Sequence, residues 1–140
     1  MTDFYCSDPL CSEGAQLFQF TGRIDNCILI GSSTDEVWMV DAGTPEMGLL
    51  DVMMHNNMVV VDDLLDEDNY PGFFETICMD CFEYKFSDTL FVDLFKDDYH
   101  LDTMSVAEMK GRPLPGFTDD LEGHTRDLLL PDLGCYEFQE

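Results

Sequence analysis

The chain has 140 residues, which is long enough for one compact domain with a hydrophobic core and too short for two ordinary domains. It carries 30 acidic and 6 basic residues, a formal net charge of −24. This balance excludes the usual mode of nucleic-acid binding, which needs clustered Lys and Arg. It also disfavours binding to anionic membranes. Aromatic and branched residues accompany the acids, so we expect a folded acidic domain over residues 1–140, with 103–140 a loosely structured C-terminal extension.

The first part of the chain predicts strands and one helix. Apolar and polar residues alternate over 17–21 and 23–30, which predicts a hairpin, and 36–41 predicts a third strand. Thr44-Pro45-Glu46 is a favourable helix start, because it offers an N-cap hydroxyl, a proline at the first helical position and an acid near the positive end of the helix dipole. We expect one clear helix from there to Asn56-Asn57.

The central segment, 59–102, combines the strongest hydrophobic pattern with the densest negative charge. It predicts a short strand at 58–61, an acidic loop over 62–72, and a hairpin of strands 76–86 and 89–95. No internal repeat is evident. The elements together predict an α+β fold, mainly an antiparallel sheet of about six or seven short strands in hairpins, with one clear α-helix and an irregular C-terminal region.

The six cysteines indicate free thiols or metal ligands rather than a disulfide framework. No secretory signal is visible and no apolar run reaches roughly 18 residues, so we expect a reducing, cytoplasmic setting and no membrane association. Cys6-x4-Cys11 and Cys78-x2-Cys81 could supply the four thiolates of one structural zinc site. The alternative is that these residues are unligated thiols.

No catalytic signature is present in the sequence. His55, His100 and His124 lie in three different segments, and there is no Gly-rich phosphate loop, nucleophile elbow or HExxH motif. We therefore expect no enzymatic activity.

The acids of the central segment are the candidate partner-binding residues. Side chains on one face of a strand recur about every 6.6 Å, of the order of the spacing between neighbouring phosphates, so carboxylates on a rigid sheet and its loops can imitate a nucleic-acid backbone. In size and charge the chain resembles phage and viral DNA-mimic inhibitors, such as anti-restriction and anti-CRISPR proteins. The resemblance implies an inhibitor that occupies the basic groove of a nucleic-acid-handling host protein. The candidate residues are Asp62, Asp63, Asp66, Glu67, Asp68, Glu83, Asp93, Asp97 and Asp98.

Other interpretations stay open. Leu133, Cys135 and Glu137, preceded by Asp132, resemble the LxCxE segment with which papillomavirus and adenovirus oncoproteins engage retinoblastoma-type pocket proteins, which implies a viral regulator that presents these residues from an extended tail. A zinc-stapled structural or assembly subunit, for instance of a virion, would turn its acids to solvent or basic neighbours, and self-association fits that interpretation. The excess of Asp over Glu would also suit a protein from a high-salt environment.

Overall fold

A computed structural model of the chain describes residues 3–5, 10, 14, 16–39, 47–66 and 70–139. Short strands predominate in this part of the chain, together with one four-residue α-helix and 3-10 turns at Asp63–Leu65 and Leu94–Lys96. The elements are β1 (Asp3–Tyr5), β2 (Gln16–Phe18), β3 (Phe20–Asp25), β4 (Ile28–Leu29), β5 (Leu50–His55), β6 (Met58–Val59), α1 (Phe73–Thr76), β7 (Cys78–Met79), β8 (Phe82–Glu83), β9 (Phe91–Asp93) and β10 (Asp98–Leu101).

Two three-stranded parallel sheets form the centre of the molecule. Strands β3, β5 and β7 make one sheet, and β4, β6 and β8 make the other. Each strand of the first sheet leads through a two-residue turn into a strand of the second, so the chain winds through three stacked coils: coil 1 (20–29), coil 2 (50–59) and coil 3 (78–83). This is a solenoid, in which neighbouring coils lie about 4.8 Å apart.

The same turn recurs in each coil. Its first residue has a left-handed backbone in all three cases: φ is 54° at Asn26, 50° at Asn56 and 55° at Asp80. Asn and Asp are the residues that adopt this conformation most readily after glycine. The sequence therefore repeats a corner between the two sheets.

Asn57, the second turn residue of coil 2, is fully buried and joins the coils. Its Oδ1 accepts a hydrogen bond from the backbone N–H of Cys27 (2.8 Å), and its Nδ2 donates to the carbonyl oxygen of Ile24 (2.9 Å). Its own backbone N–H donates to Cys81 Sγ at 3.4 Å. One polar side chain thus satisfies backbone groups inside the stack that would otherwise be buried without partners.

The sheet of β4, β6 and β8 is covered on both faces. Alternate residues enter two different cores, as strand geometry requires. The first core lies inside the coils, between the two sheets, and consists of Met54, Val59, Val61, Leu64, Phe73 and Cys78 with Ile24 and Leu29 packed against it. The second lies on the opposite face and consists of Met58, Leu90, Leu101, Ala107 and Leu133 with Ile28 and Phe82 packed against it.

Residues 103–139 contain no strand or helix, apart from an isolated bridge between Asp119 and Thr125, but they pack closely on the coils. Asn26 Nδ2 donates to the carbonyl oxygen of Arg112 at 2.7 Å, and the Arg112 N–H donates back to Asn26 Oδ1 at 3.0 Å. A Cβ at Gly111 would lie 2.7 Å from the carbonyl oxygen of Pro131, so the close approach of these segments requires glycine there. The segment therefore covers the corner of coil 1.

The predicted fold class is wrong, because the central sheets are parallel and not antiparallel. The expected hairpin of 17–21 and 23–30 is instead β3 followed by the corner and β4, and β3 pairs in parallel with β5. The expected hairpin of 76–86 and 89–95 is also wrong: β7 and β8 pair in parallel with β5 and β6, and β9 pairs antiparallel with β10. Apolar alternation identifies strands but does not give their direction or their partners.

The predicted helix is also wrong where the structure describes it, since Leu50–His55 is strand β5; residues 44–46 lie outside the described part. Met54 is buried and Met53 is partly exposed, which is the alternation of a strand. The third predicted strand is not formed at 36–39, and 40–41 lie outside the described residues. The strand expected at 58–61 is present only in part, as β6 over Met58–Val59. The expectation of no internal repeat fails too, because the three corners are one repeated unit.

Replacing Asn57 with alanine tests the inter-coil hydrogen bonds. The change leaves the Cys27 N–H and the Ile24 carbonyl buried without partners, and we expect the free energy of unfolding to fall by about 2–4 kcal/mol. Urea unfolding followed by circular dichroism measures it. Asn56→Gly is the matched control, because glycine keeps the left-handed backbone and loses only an exposed bond to Lys110. A loss below about 0.5 kcal/mol for Asn57→Ala would contradict this role.

Candidate functional site

Acidic side chains from two successive coils lie side by side at one edge of the stack. Because β4 and β6 are parallel, the loops that follow them leave in the same direction. The backbone N–H of Asp62 donates to Asp35 Oδ1 at 2.6 Å, and the N–H of Glu36 donates to the Val60 carbonyl at 2.9 Å. We call this surface the acidic edge, formed by Asp35, Glu36, Asp62, Asp63 and Asp66.

The acidic edge contains three of the candidate residues. Asp62, Asp63 and Asp66 are exposed there, and Glu83 is exposed on β8 in coil 3, in register with Val59. Glu67 and Asp68 lie outside the described residues. Asp62, Asp63 and Asp66 therefore follow a strand, β6, that is paired on both sides. This pairing holds the start of their loop in a fixed register.

The remaining candidates, Asp93, Asp97 and Asp98, belong to the hairpin of β9 and β10. Asp93 Oδ1 accepts from the N–H of Phe95 at 3.1 Å, and its Oδ2 lies 2.7 Å from Lys96 Nζ. Asp97 has a left-handed backbone with φ of 57°. These carboxylates shape the hairpin, so part of their capacity to accept hydrogen bonds is used within the fold.

Most basic side chains are paired with carboxylates of the same chain. Asp25 alone receives two arginines, Arg23 Nε at 2.6 Å and Arg112 Nη2 at 2.7 Å. Because the acids outnumber the cations by 30 to 6, the protein keeps a large negative charge after this pairing. The four pairs are Arg23–Asp25, Arg112–Asp25, Arg126–Glu137 and Lys96–Asp93.

His100 links the β9–β10 hairpin to the C-terminal segment. Its Nδ1 lies 2.6 Å from Asp98 Oδ1, its Nε2 lies 3.3 Å from Glu122 Oε2, and its ring stacks on Tyr136 with centroids 4.1 Å apart. The hydrogen bond with Asp98, followed by that with Glu122, raises the pKa of His100 above its ordinary value. The protonated ring is therefore favoured in the folded protein.

Asp120 organises the end of the chain. Burial alone would raise its pKa, but the backbone N–H groups of Glu137, His124 and Glu122 donate to the carboxylate and lower the pKa to about 2. The charged form is thus favoured at neutral pH. Asp120 acts as an acceptor inside the fold and is not available to a partner.

The four cysteines of the predicted zinc site are only partly described. Cys78 and Cys81 form a disulfide with each other, and Cys6 and Cys11 lie outside the described residues. Among the described residues, no group of three or more His, Cys, Asp or Glu side chains is arranged to hold a metal ion. A zinc site would need this disulfide reduced, because thiolates are the ligands, and it stays a prediction, as does the reducing cytoplasmic setting.

The residues that resemble LxCxE are placed differently from an extended tail. Leu133 is fully buried in the second core, and Asp132 beside it is also buried. Glu137 accepts from the N–H of Asp127 at 2.8 Å and pairs with Arg126 at 3.3 Å. Only Cys135 is exposed. Binding of this segment in a partner's groove would require the second core to open.

Two members of the acidic edge, Asp35 and Glu36, were not among the sequence-based candidates. The signal for them lies in the repeated corners: aligning Asn26 with Asn56 pairs β4 with β6, so that the segments after these strands, which contain Asp35 and Asp62, run side by side. The unequal lengths of the segments between corners hide this alignment in the sequence.

Comparisons of the chain with protein-family models, curated proteins and solved structures found no match. No helix in the described segments has the length and apolar character needed to cross a bilayer. What the described geometry offers chemically is a group of carboxylates on two neighbouring segments, suited to binding cationic groups.

The His100 network predicts a pH-dependent stability. Because the folded pKa is raised, the contribution of His100 is fully present below about pH 6.5, its unfolded value, and is lost as the pH rises through the folded pKa. His100→Gln should therefore lower the unfolding free energy more at about pH 5.5 than at about pH 8.5. Urea unfolding of both proteins at the two pH values measures the difference. Equal losses at both would show that proton binding by His100 is not linked to folding.

Proposed function

We propose that this chain is a non-enzymatic binding protein that inhibits a nucleic-acid-handling protein by occupying its basic groove. The observation that carries the proposal is the acidic edge, where parallel coils place Asp35 and Glu36 beside Asp62 and Asp63. The pairing of Arg23, Arg112, Arg126 and Lys96 with carboxylates of the same chain supports it, since few cations keep an unneutralised charge that could attract nucleic acid.

The physical basis is imitation of a polyanion. The acids of the edge lie on segments that follow β4 and β6, two strands paired at about 4.8 Å, so negative charges from successive coils are brought close together. A groove built to neutralise phosphates gains the same contacts from such a group of charges. Long-range attraction between the net charge of −24 and a basic groove also speeds association. The mode of action is that of phage and viral DNA-mimic inhibitors, in the cytoplasm of the cell that holds the target.

A charge-reversal experiment tests this proposal. Asp62→Lys combined with Asp66→Lys places two cations on the acidic edge, whereas Asp51→Lys with Glu108→Lys makes the same change in net charge elsewhere. Wild type and both variants are used to capture proteins from a lysate of the source cells or their host, and captured proteins are eluted with duplex DNA. We expect the DNA-eluted protein to be captured by wild type and by the control pair, and at least about tenfold less by the acidic-edge variant.

Equal capture by the two double variants would contradict the proposal, because net charge and not the acidic edge would then decide binding. Thermal unfolding of each variant shows whether the domain is still folded. All four substituted residues are exposed or half-buried and none of them belongs to either core.

A second candidate function, an assembly subunit, is favoured by exposed apolar side chains near the C-terminal segment and on the β9–β10 hairpin. Phe95 is fully exposed, and Leu128 and Leu129 are mostly exposed. Apolar groups of this size at a surface mark protein interfaces. An assembly interface of this kind would tolerate high salt and would not respond to DNA, so the salt dependence of binding distinguishes it from the proposed inhibition.

A further inference from the structure

A cleft of about 890 Å³ lies between coil 1 and the C-terminal segment. One wall is the first corner with its flanking strands, residues 23–29, and the other is formed by 112–118 and 126–135, with Phe91 and Tyr99 contributed by the hairpin. Its volume falls within the range of about 300–1,000 Å³ that is typical of small-molecule sites. The acidic edge contributes no residue to it.

All three arginines of the chain line this cleft. Arg23, Arg112 and Arg126 converge there, although the chain holds 30 acids and only 6 bases. A guanidinium group presents planar N–H donors that match a carboxylate, sulfonate or phosphate group. The concentration of all three guanidinium groups in one cleft of so acidic a protein indicates that they have a role in that cleft.

The two aspartates that line the cleft already accept hydrogen bonds from the protein itself. Asp25 holds Arg23 Nε and Arg112 Nη2, at 2.6 and 2.7 Å. Asp127 Oδ1 accepts from the backbone N–H groups of Leu129 and Leu130, at 2.7 and 2.8 Å. Both oxygens of Asp25 and Oδ1 of Asp127 thus already accept from the protein's own donors.

Arginine N–H donors, in contrast, remain available to a ligand. Arg23 contacts Asp25 through Nε, and its side chain is 61% exposed, so its terminal N–H groups face solvent. Arg112 contacts Asp25 through Nη2, and its side chain is 31% exposed. The accessible guanidinium N–H groups that do not contact Asp25 favour a ligand that supplies acceptor oxygens.

The remaining walls are largely apolar, with Phe91, Leu114, Phe117 and Leu128 among the lining residues. We propose that the cleft binds a small organic anion that combines an apolar or aromatic body with one carboxylate, sulfonate or phosphate group. Arg23 contacts the anionic group and the apolar side chains enclose the body. The apolar body is essential, because the net charge of −24 repels a simple anion. This site is independent of the proposed partner binding.

Two dyes test the proposal on the full chain. 8-Anilinonaphthalene-1-sulfonate has an aromatic body and one sulfonate, and Nile red is an uncharged aromatic of similar use. Each is titrated into wild type, Arg23→Gln and Lys85→Gln, and fluorescence gives the dissociation constants. The two variants change net charge equally, and Lys85 lies outside the cleft lining. Circular dichroism confirms that each protein is folded.

We expect saturable binding of the sulfonate dye to wild type, weakened about tenfold in Arg23→Gln, the size of effect typical for loss of a charge-assisted hydrogen bond. Lys85→Gln should leave that affinity within about twofold, and neither variant should change Nile red binding. Equal weakening of the sulfonate dye in both variants would overturn the proposal, since only net charge would matter. So would equal loss of both dyes in Arg23→Gln, or no saturable binding of the sulfonate dye.

Discussion

The hydrogen bonds of Asn57 are the constraint on which the rest of the structure depends. This buried side chain ties coil 2 to coil 1 at Ile24 and Cys27, while its backbone N–H reaches Cys81 of coil 3. The bonds fix the parallel register at the corner. That register decides which loops become neighbours, and so it decides that Asp62 lies beside Asp35. The acidic edge is a consequence of how the coils stack.

Stacking like charges has a cost, and the molecule limits it in two ways. Arg23, Arg112, Arg126 and Lys96 pair with carboxylates of the same chain, which offsets part of the negative charge, and the Arg112 and Arg126 pairs also hold separate segments together. The backbone N–H groups of Asp62 and Ser33 donate to the carboxylates of Asp35 and Glu36, which offsets part of the repulsion at the edge. A basic partner would relieve the repulsion that remains. We therefore expect binding of the proposed partner to stabilise the acidic edge.

The sequence predicted part of this architecture. The strand at β6 and the exposed acids Asp62, Asp63 and Asp66 followed from local pattern alone. The parallel direction did not, because Leu50–His55 fits both helical and strand spacing, and because each strand pairs with a strand of the next coil and not with its neighbour in sequence. The convergence of Arg23, Arg112 and Arg126 on one cleft was equally beyond local pattern, since it arises from packing of the C-terminal segment on coil 1.

The most direct test of the account is displacement of DNA from a captured partner. The partner is bound to a fluorescent duplex, this protein is added at increasing concentration, and fluorescence anisotropy reports the bound DNA. The account predicts complete, stoichiometric release of DNA, with an affinity that falls steeply as salt rises, because both ligands use the same cationic groove. Binding that leaves the DNA in place would contradict the account and identify the contact as an assembly interface.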